Sequence, residues 1–154
     1  MDIKVETEIN SPIKTVWEAI TDFEHCADRI SGIINTKVLE RPQNGLVGLK
    51  WEETRQIFGK ESTETMWITD TEEYSYYRTR AENCGAIYLS TMSVRQEGAL
   101  TVLSMSFSGS ANSLIMRLIS SLMGIFIQGS MKKMMQKDLD DIKAFIESSA
   151  QITS

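Results

Sequence analysis

The side chains best placed by type and spacing to do chemistry are Glu53 and Arg55, two opposite charges two positions apart in a stretch of alternating polarity. In a strand, residues i and i+2 point to one face, so the pair would share its face with Leu49, Trp51 and Ile57. A carboxylate and a guanidinium set among apolar neighbours could orient the polar head of an otherwise apolar ligand. Arg55 would offer planar donors to a ligand carboxylate or carbonyl. Two other outcomes stay open. The two charges could form a partly solvated pair at a strand end, or a register slip of one residue would exchange them for Glu52 and Thr54.

Other chemistries lack their residues. There is no Gly-x-Ser-x-Gly elbow, no His-x-x-x-His and no phosphate loop, and His25 is the only histidine. Hydrolase and metalloenzyme readings therefore fall, and no metal or cofactor is expected. His25 lies in a short helical stretch and reads as a surface or helix-end residue. Cys26 and Cys84 are far apart and outside any Cys-x-x-Cys spacing, which fits free thiols in a reducing compartment. Tyr74, Tyr76, Tyr77, Arg78 and Arg80 superficially suggest a single-stranded nucleic-acid surface. Alternation on a solvated strand explains them better. With 16 basic against 21 acidic residues the net charge is -5, which repels a phosphate backbone or an anionic membrane.

Local patterns position these residues. Ile3, Val5 and Ile9 alternate with polar residues as in a strand. Ser11 suits an N-cap and Pro12 a first helical position, before Ile13, Val16, Trp17 and Ile20 at helical spacing. Asp22 would cap a second short helix carrying Cys26, Ala27 and Ile30. Strands are predicted at about 33–41, 46–58, 62–72, 74–82, 86–96 and 100–108, joined by turn residues such as Asn44-Gly45, Gly59-Lys60 and Glu97-Gly98. From Leu118 the period changes: Leu122, Phe126, Met131, Met135, Leu139, Ile142 and Ile146 continue a helical stripe. A kink or break is expected near Gly124 and Gly129. Leu114 to Ile127 is too short and too interrupted to span a membrane, and it reads as a buried or interface helix, with a homodimer contact as one use. The N-terminus does not read as a signal peptide, so a cytoplasmic location is expected.

Ile9-Asn10-Ser11-Pro12 leading to Val16-Trp17-Glu18-Ala19-Ile20-Thr21-Asp22-Phe23, then Val47-Gly48-Leu49-Lys50-Trp51 and Lys137-Asp138-Leu139-Asp140-Asp141-Ile142-Lys143, resemble the START-like (SRPBCC, Bet v 1-like) superfamily. That superfamily includes birch-pollen allergens, lipid-transfer START domains and bacterial polyketide cyclase/dehydrase-type proteins. The resemblance implies one helix-grip domain over residues 1–150, of the α+β class: a curved antiparallel sheet of about seven strands, with two short helices after the first strand, wrapped around a long C-terminal helix. It also implies an apolar cavity between sheet and helix.

The expected ligand-binding set is Trp51, Glu53, Arg55, Trp67, Tyr88, Met92, Met105, Phe107 and Met123, an aromatic and sulfur-rich wall. A dry, empty pocket of about 300 Å³ would cost roughly 7 kcal/mol, so the space should hold water or a ligand. Three functions follow: a carrier of a hydrophobic small molecule such as a lipid, fatty acid or aromatic metabolite; a cyclase or aromatase without metal or cofactor; or an interaction module using the apolar helix. The similarity to cyclases implies Glu53 as a base with Arg55 or Tyr88 polarising a carbonyl.

Overall fold

The computed structural model describes the backbone of residues 2–57, 59–83, 85–111 and 114–152, and the side chains of those residues except 110–127, 151 and 152. The period-2 pattern of the first segment becomes β1 (Asp2–Ile9), with Ile3, Val5 and Ile9 buried. There follow α1 (Ile13–Ile20), a 3-10 turn (Phe23–His25) and α2 (Cys26–Arg29). Six strands come next: β2 (Ile33–Glu40), β3 (Lys50–Ile57), β4 (Lys60–Glu72), β5 (Tyr76–Asn83), β6 (Ala86–Glu97) and β7 (Leu100–Ala111). The chain closes with α3 (Leu114–Ile152).

All seven strands form one antiparallel curved sheet in the order β1-β7-β6-β5-β4-β3-β2. From β2 to β7 each strand pairs with its neighbour in sequence, as short hairpins require, while β1 closes onto β7. The helix-grip architecture is therefore the fold of this chain. Met135, Leu139, Ile142 and Ile146 are the buried stripe of α3, and they join Ile9, Leu49, Ile68 and Leu103 in one core cluster.

Several local expectations are corrected. Pro12, not Ser11, occupies the N-cap of α1, with an extended ψ of 150°, and no side chain caps the helix. Ser11 lies one residue before the cap and is buried, and its carbonyl accepts the Thr101 hydroxyl at 2.7 Å, which ties the start of α1 to β7. Asp22 likewise makes no capping bond. β3 starts at Lys50 rather than near 46, because Gly48 takes a φ of 92° and Leu49 N–H bonds back to the Leu46 carbonyl. α3 runs unbroken through Gly124 and Gly129; a helical glycine costs only about 1 kcal/mol, too little to interrupt the ladder. In the tyrosine-rich stretch, Tyr77 is buried, and Asp70 accepts from Tyr76 and Arg78 while Glu82 accepts from Arg80. Tyr77 is thus a core residue of the inner face, while Tyr76, Arg78 and Arg80 lie on the other face of β5, where the cations already have acidic partners.

Candidate functional site

Register decides which side chains look inward. Directly opposed residues of antiparallel strands share a face, and Trp51 opposes Met66 while Tyr77 opposes Met92 and Met92 opposes Met105. These side chains form the apolar wall of a cavity of about 110 Å³ between the sheet, α1, α2 and α3. Phe23 crosses its end, with ring centroids 4.5 Å from Trp51 and 5.4 Å from Tyr77. The space is about a third of the pocket expected from sequence. Left dry it would cost about 2.6 kcal/mol at roughly 24 cal/mol per Å³.

One corner of this wall is charged. Arg55 Nε donates to Glu53 Oε1 at 2.5 Å, and the guanidinium fork donates to Asp138 of α3, Nη1 to Oδ1 at 3.2 Å and Nη2 to Oδ2 at 2.8 Å. Only 14% of the Arg55 side chain, 15% of Glu53 and 5% of Asp138 is exposed. The donors expected to face a ligand carboxylate instead hold the helix to the sheet. Gly32 makes room for this: a Cβ there would lie 3.1 Å from Arg55 Nη1 and 3.6 Å from Asp138 Oδ1.

Two carboxylates share one guanidinium, and both charge and burial follow from that. Burial works against the Arg55 charge, yet Glu53 and Asp138 together hold its pKa above the usual arginine value. Burial pushes the Asp138 carboxyl up, Arg55 opposes it, and Glu53 and Asp141 add to the rise, so the carboxyl stands above its ordinary value. Thr36, paired with Glu53 across β2 and β3, carries the one buried side-chain polar atom without a hydrogen-bond partner among the described residues.

A second ionic group borders the cavity on the α2 side. Arg29 donates to the Ala19 carbonyl at 2.8 Å and to Asp22 Oδ2 at 2.8 Å, and its guanidinium lies 4.4 Å from the Phe145 ring centroid. His25 Nδ1 lies 2.9 Å from Asp22 Oδ1. That bond raises the exposed imidazole's pKa, so His25 is a surface partner of Asp22. Burial and the nearby Glu53 push the Cys26 thiol up to about 12. Cys84 lies outside the described residues.

Of the residues singled out from sequence, Trp51, Glu53, Arg55, Met92 and Met105 line the cavity together. Phe107 opposes Ser90 on the same face, and Tyr88 stacks on it with centroids 5.8 Å apart, beyond the described lining. Gly109 gives Tyr88 that space, since a Cβ would come within 3.3 Å of its ring. Trp67 is corrected: it opposes Lys50 and Arg80, one residue out of phase with Met66, and so belongs to the opposite face of the sheet. The Met123 side chain, with those of Leu114 to Ile127, lies outside the described residues. Sequence reasoning missed Asp138, although a signal existed. Asp138 stands three after Met135 and four before Ile142, inside the apolar stripe, where a lone carboxylate demands a partner.

Residues 1–147 match the family described as polyketide cyclase / dehydrase and lipid transport. No curated protein sequence matches the chain. Among solved structures, a protein of Thermus thermophilus superposes with a TM-score of 0.81 at 14% identity, covering 97% of this chain and 99% of that one. A START superfamily protein from Mycobacterium smegmatis gives 0.80 at 13% identity, over 96% and 97%. The ZhuI aromatase/cyclase of Streptomyces sp. R1128 gives 0.71 at 14% identity, over 96% and 93%. At these identities the structures show the same fold. No helix among the described residues is long and apolar enough to cross a membrane. The helix-grip sheet, the cavity beneath α3 and the match over nearly the whole length agree, and the chain belongs to the polyketide cyclase/dehydrase and lipid transport family.

Proposed function

We propose that this chain binds and carries a hydrophobic small molecule, a lipid or an aromatic metabolite, in the cavity between sheet and α3, in the cytoplasm. The observation that carries this reading is the contrast within the wall: Phe23, Trp51, Met66, Tyr77, Met92 and Met105 are apolar, while Glu53, Arg55 and Asp138 concentrate charge at one corner. An apolar enclosure with few fixed polar groups favours a mostly apolar ligand held in one orientation. Methionine adapts its shape cheaply, which suits a carrier of variable cargo.

The cyclase reading has weaker support in this cavity. Polarising a substrate carbonyl would draw on Arg55 donors that Glu53 and Asp138 hold, and Tyr88 stacks on Phe107 outside the described lining. The test is to purify the protein without detergent and compare native with denatured mass. A stoichiometric apolar compound released on denaturation supports the carrier reading. An apo mass, with no uptake of a neutral fluorescent apolar probe, counts against it.

A further inference from the structure

We propose that the cavity selects a ligand whose polar head donates hydrogen bonds, an ammonium or a hydroxyl, and rejects a carboxylate head. This rests on the carrier reading and narrows its ligand class.

The charge balance points that way. Glu53 and Asp138 bring two negative charges to the corner and Arg55 one positive charge, leaving one negative charge in excess. Arg29, the other cation in the wall, is neutralised by Asp22 and held by the Ala19 carbonyl. Acceptor capacity is also in excess. Glu53 uses Oε1 for Arg55, and Oε2 has no hydrogen bond among the described residues. The side chain is largely buried yet lines the cavity. A carboxylate oxygen in that position seeks a donor. An entering carboxylate would be the third anion around one guanidinium whose fork is already filled by Asp138. An ammonium would cancel the excess charge, and a hydroxyl would satisfy Glu53 without adding one. Neutralisation of Asp138 removes the excess but creates no site for an anion.

The test compares three probes that share a single ring and carry no alkyl tail: phenol, benzylammonium and benzoate. A single ring suits a cavity somewhat below the roughly 150 Å³ that holds benzene. Calorimetric titration of the full chain at pH 7 should show the phenol and the ammonium binding at least about tenfold more tightly than the benzoate. Glu53→Gln keeps an acceptor for Arg55 but removes the charge, and should shrink that ratio, with ammonium affinity falling and benzoate affinity rising. Glu52→Gln, on the opposite face of β3, should leave the ratio unchanged and so separates the corner from the overall charge of the chain. Thermal unfolding of both variants verifies that each is folded. Benzoate binding as tightly as the phenol overturns this inference and leaves the carrier reading intact. A preference that survives Glu53→Gln overturns it as well. Failure of all three probes to bind overturns the carrier reading and, with it, the inference.

Discussion

Arg55 on β3 and Asp138 on α3 meet in a two-pronged ion pair, at 3.2 Å and 2.8 Å, across 83 positions of sequence. The contact ties the central helix to the sheet at the cavity wall. Glu53 completes it from the same strand, so the three residues act as one unit, and their variants should behave as one.

Arg55→Met leaves two buried carboxylates without a cation. Removing one partner of a buried ion pair typically costs about 3–5 kcal/mol, and urea unfolding should register a loss of that order. The triple variant Glu53→Met, Arg55→Met, Asp138→Leu replaces all the charge with apolar volume and should recover most of it. Failure of the triple variant to improve on Arg55→Met would show that burial of charge is not the source of the loss.

Asp138 and its neighbours on α3 should respond to pH with opposite signs. The Asp138 carboxyl is raised above its ordinary 3.8, chiefly by burial, with Arg55 opposing and Glu53 and Asp141 adding to the rise. Its contribution to stability is therefore full below 3.8 and is lost as pH rises through the folded-state value. Asp141 is also pushed up by burial, but bonds from Ser31 and Lys137 hold it below 3.8, and Glu147 is held below 4.5 by the Asn10 N–H and Lys143. Those two contribute above their ordinary values and lose the contribution as pH falls through the folded-state ones. Chemical unfolding from pH 3 to 7 should show Asp138→Asn gaining on the parent as pH rises, and Asp141→Asn losing less than the parent on acidification. The same slope in Asp138→Asn as in the parent would rule out its raised carboxyl.

Gly32→Ala should cost on the order of 1 kcal/mol, because its Cβ would press on Arg55 Nη1 at 3.1 Å and the fork is held by Asp138. In an Arg55→Met background the neighbour is flexible and uncharged, so the penalty should shrink. A double-mutant cycle by urea unfolding measures this coupling. Strict additivity would mean that Gly32 serves its own backbone and not the ion pair.

Ser90→Leu places apolar volume where Ser90 lines the cavity. The stability recovered from the empty space cannot exceed about 2.6 kcal/mol, from 110 Å³ at roughly 24 cal/mol per Å³. The melting temperature of the ligand-free protein should rise, and uptake of phenol should fall sharply. Unchanged uptake in a stabilised variant would place the ligand elsewhere.

Cys26 should be slow to alkylate in the folded protein. Burial, with Glu53 nearby, pushes its thiol up to about 12, and the thiolate is the reactive form. Peptide mapping by mass spectrometry after iodoacetamide at pH 8 should find Cys26 modified only on denaturation. Rapid modification in the native state would mean that the α2 side of the cavity opens.

The features legible along the chain were those written in short-range periods. Alternation at Ile3, Val5 and Ile9 set the buried face of β1, and the same rule put Trp51, Glu53 and Arg55 on one face of β3. The spacing of Met135, Leu139, Ile142 and Ile146 set the buried stripe of α3. These patterns are local because side-chain direction repeats every 2 or 3.6 residues whatever lies across the core. Strand pairing and helix docking settled the rest. Trp67 fell on the outer face because the pairing of β3 with β4 fixes its phase, and no residue near Trp67 reveals that pairing. The Arg55 fork was filled by Asp138 only through the way α3 docks on the sheet. Which polar group meets which across the core depends on that docking, and local period carries no record of it.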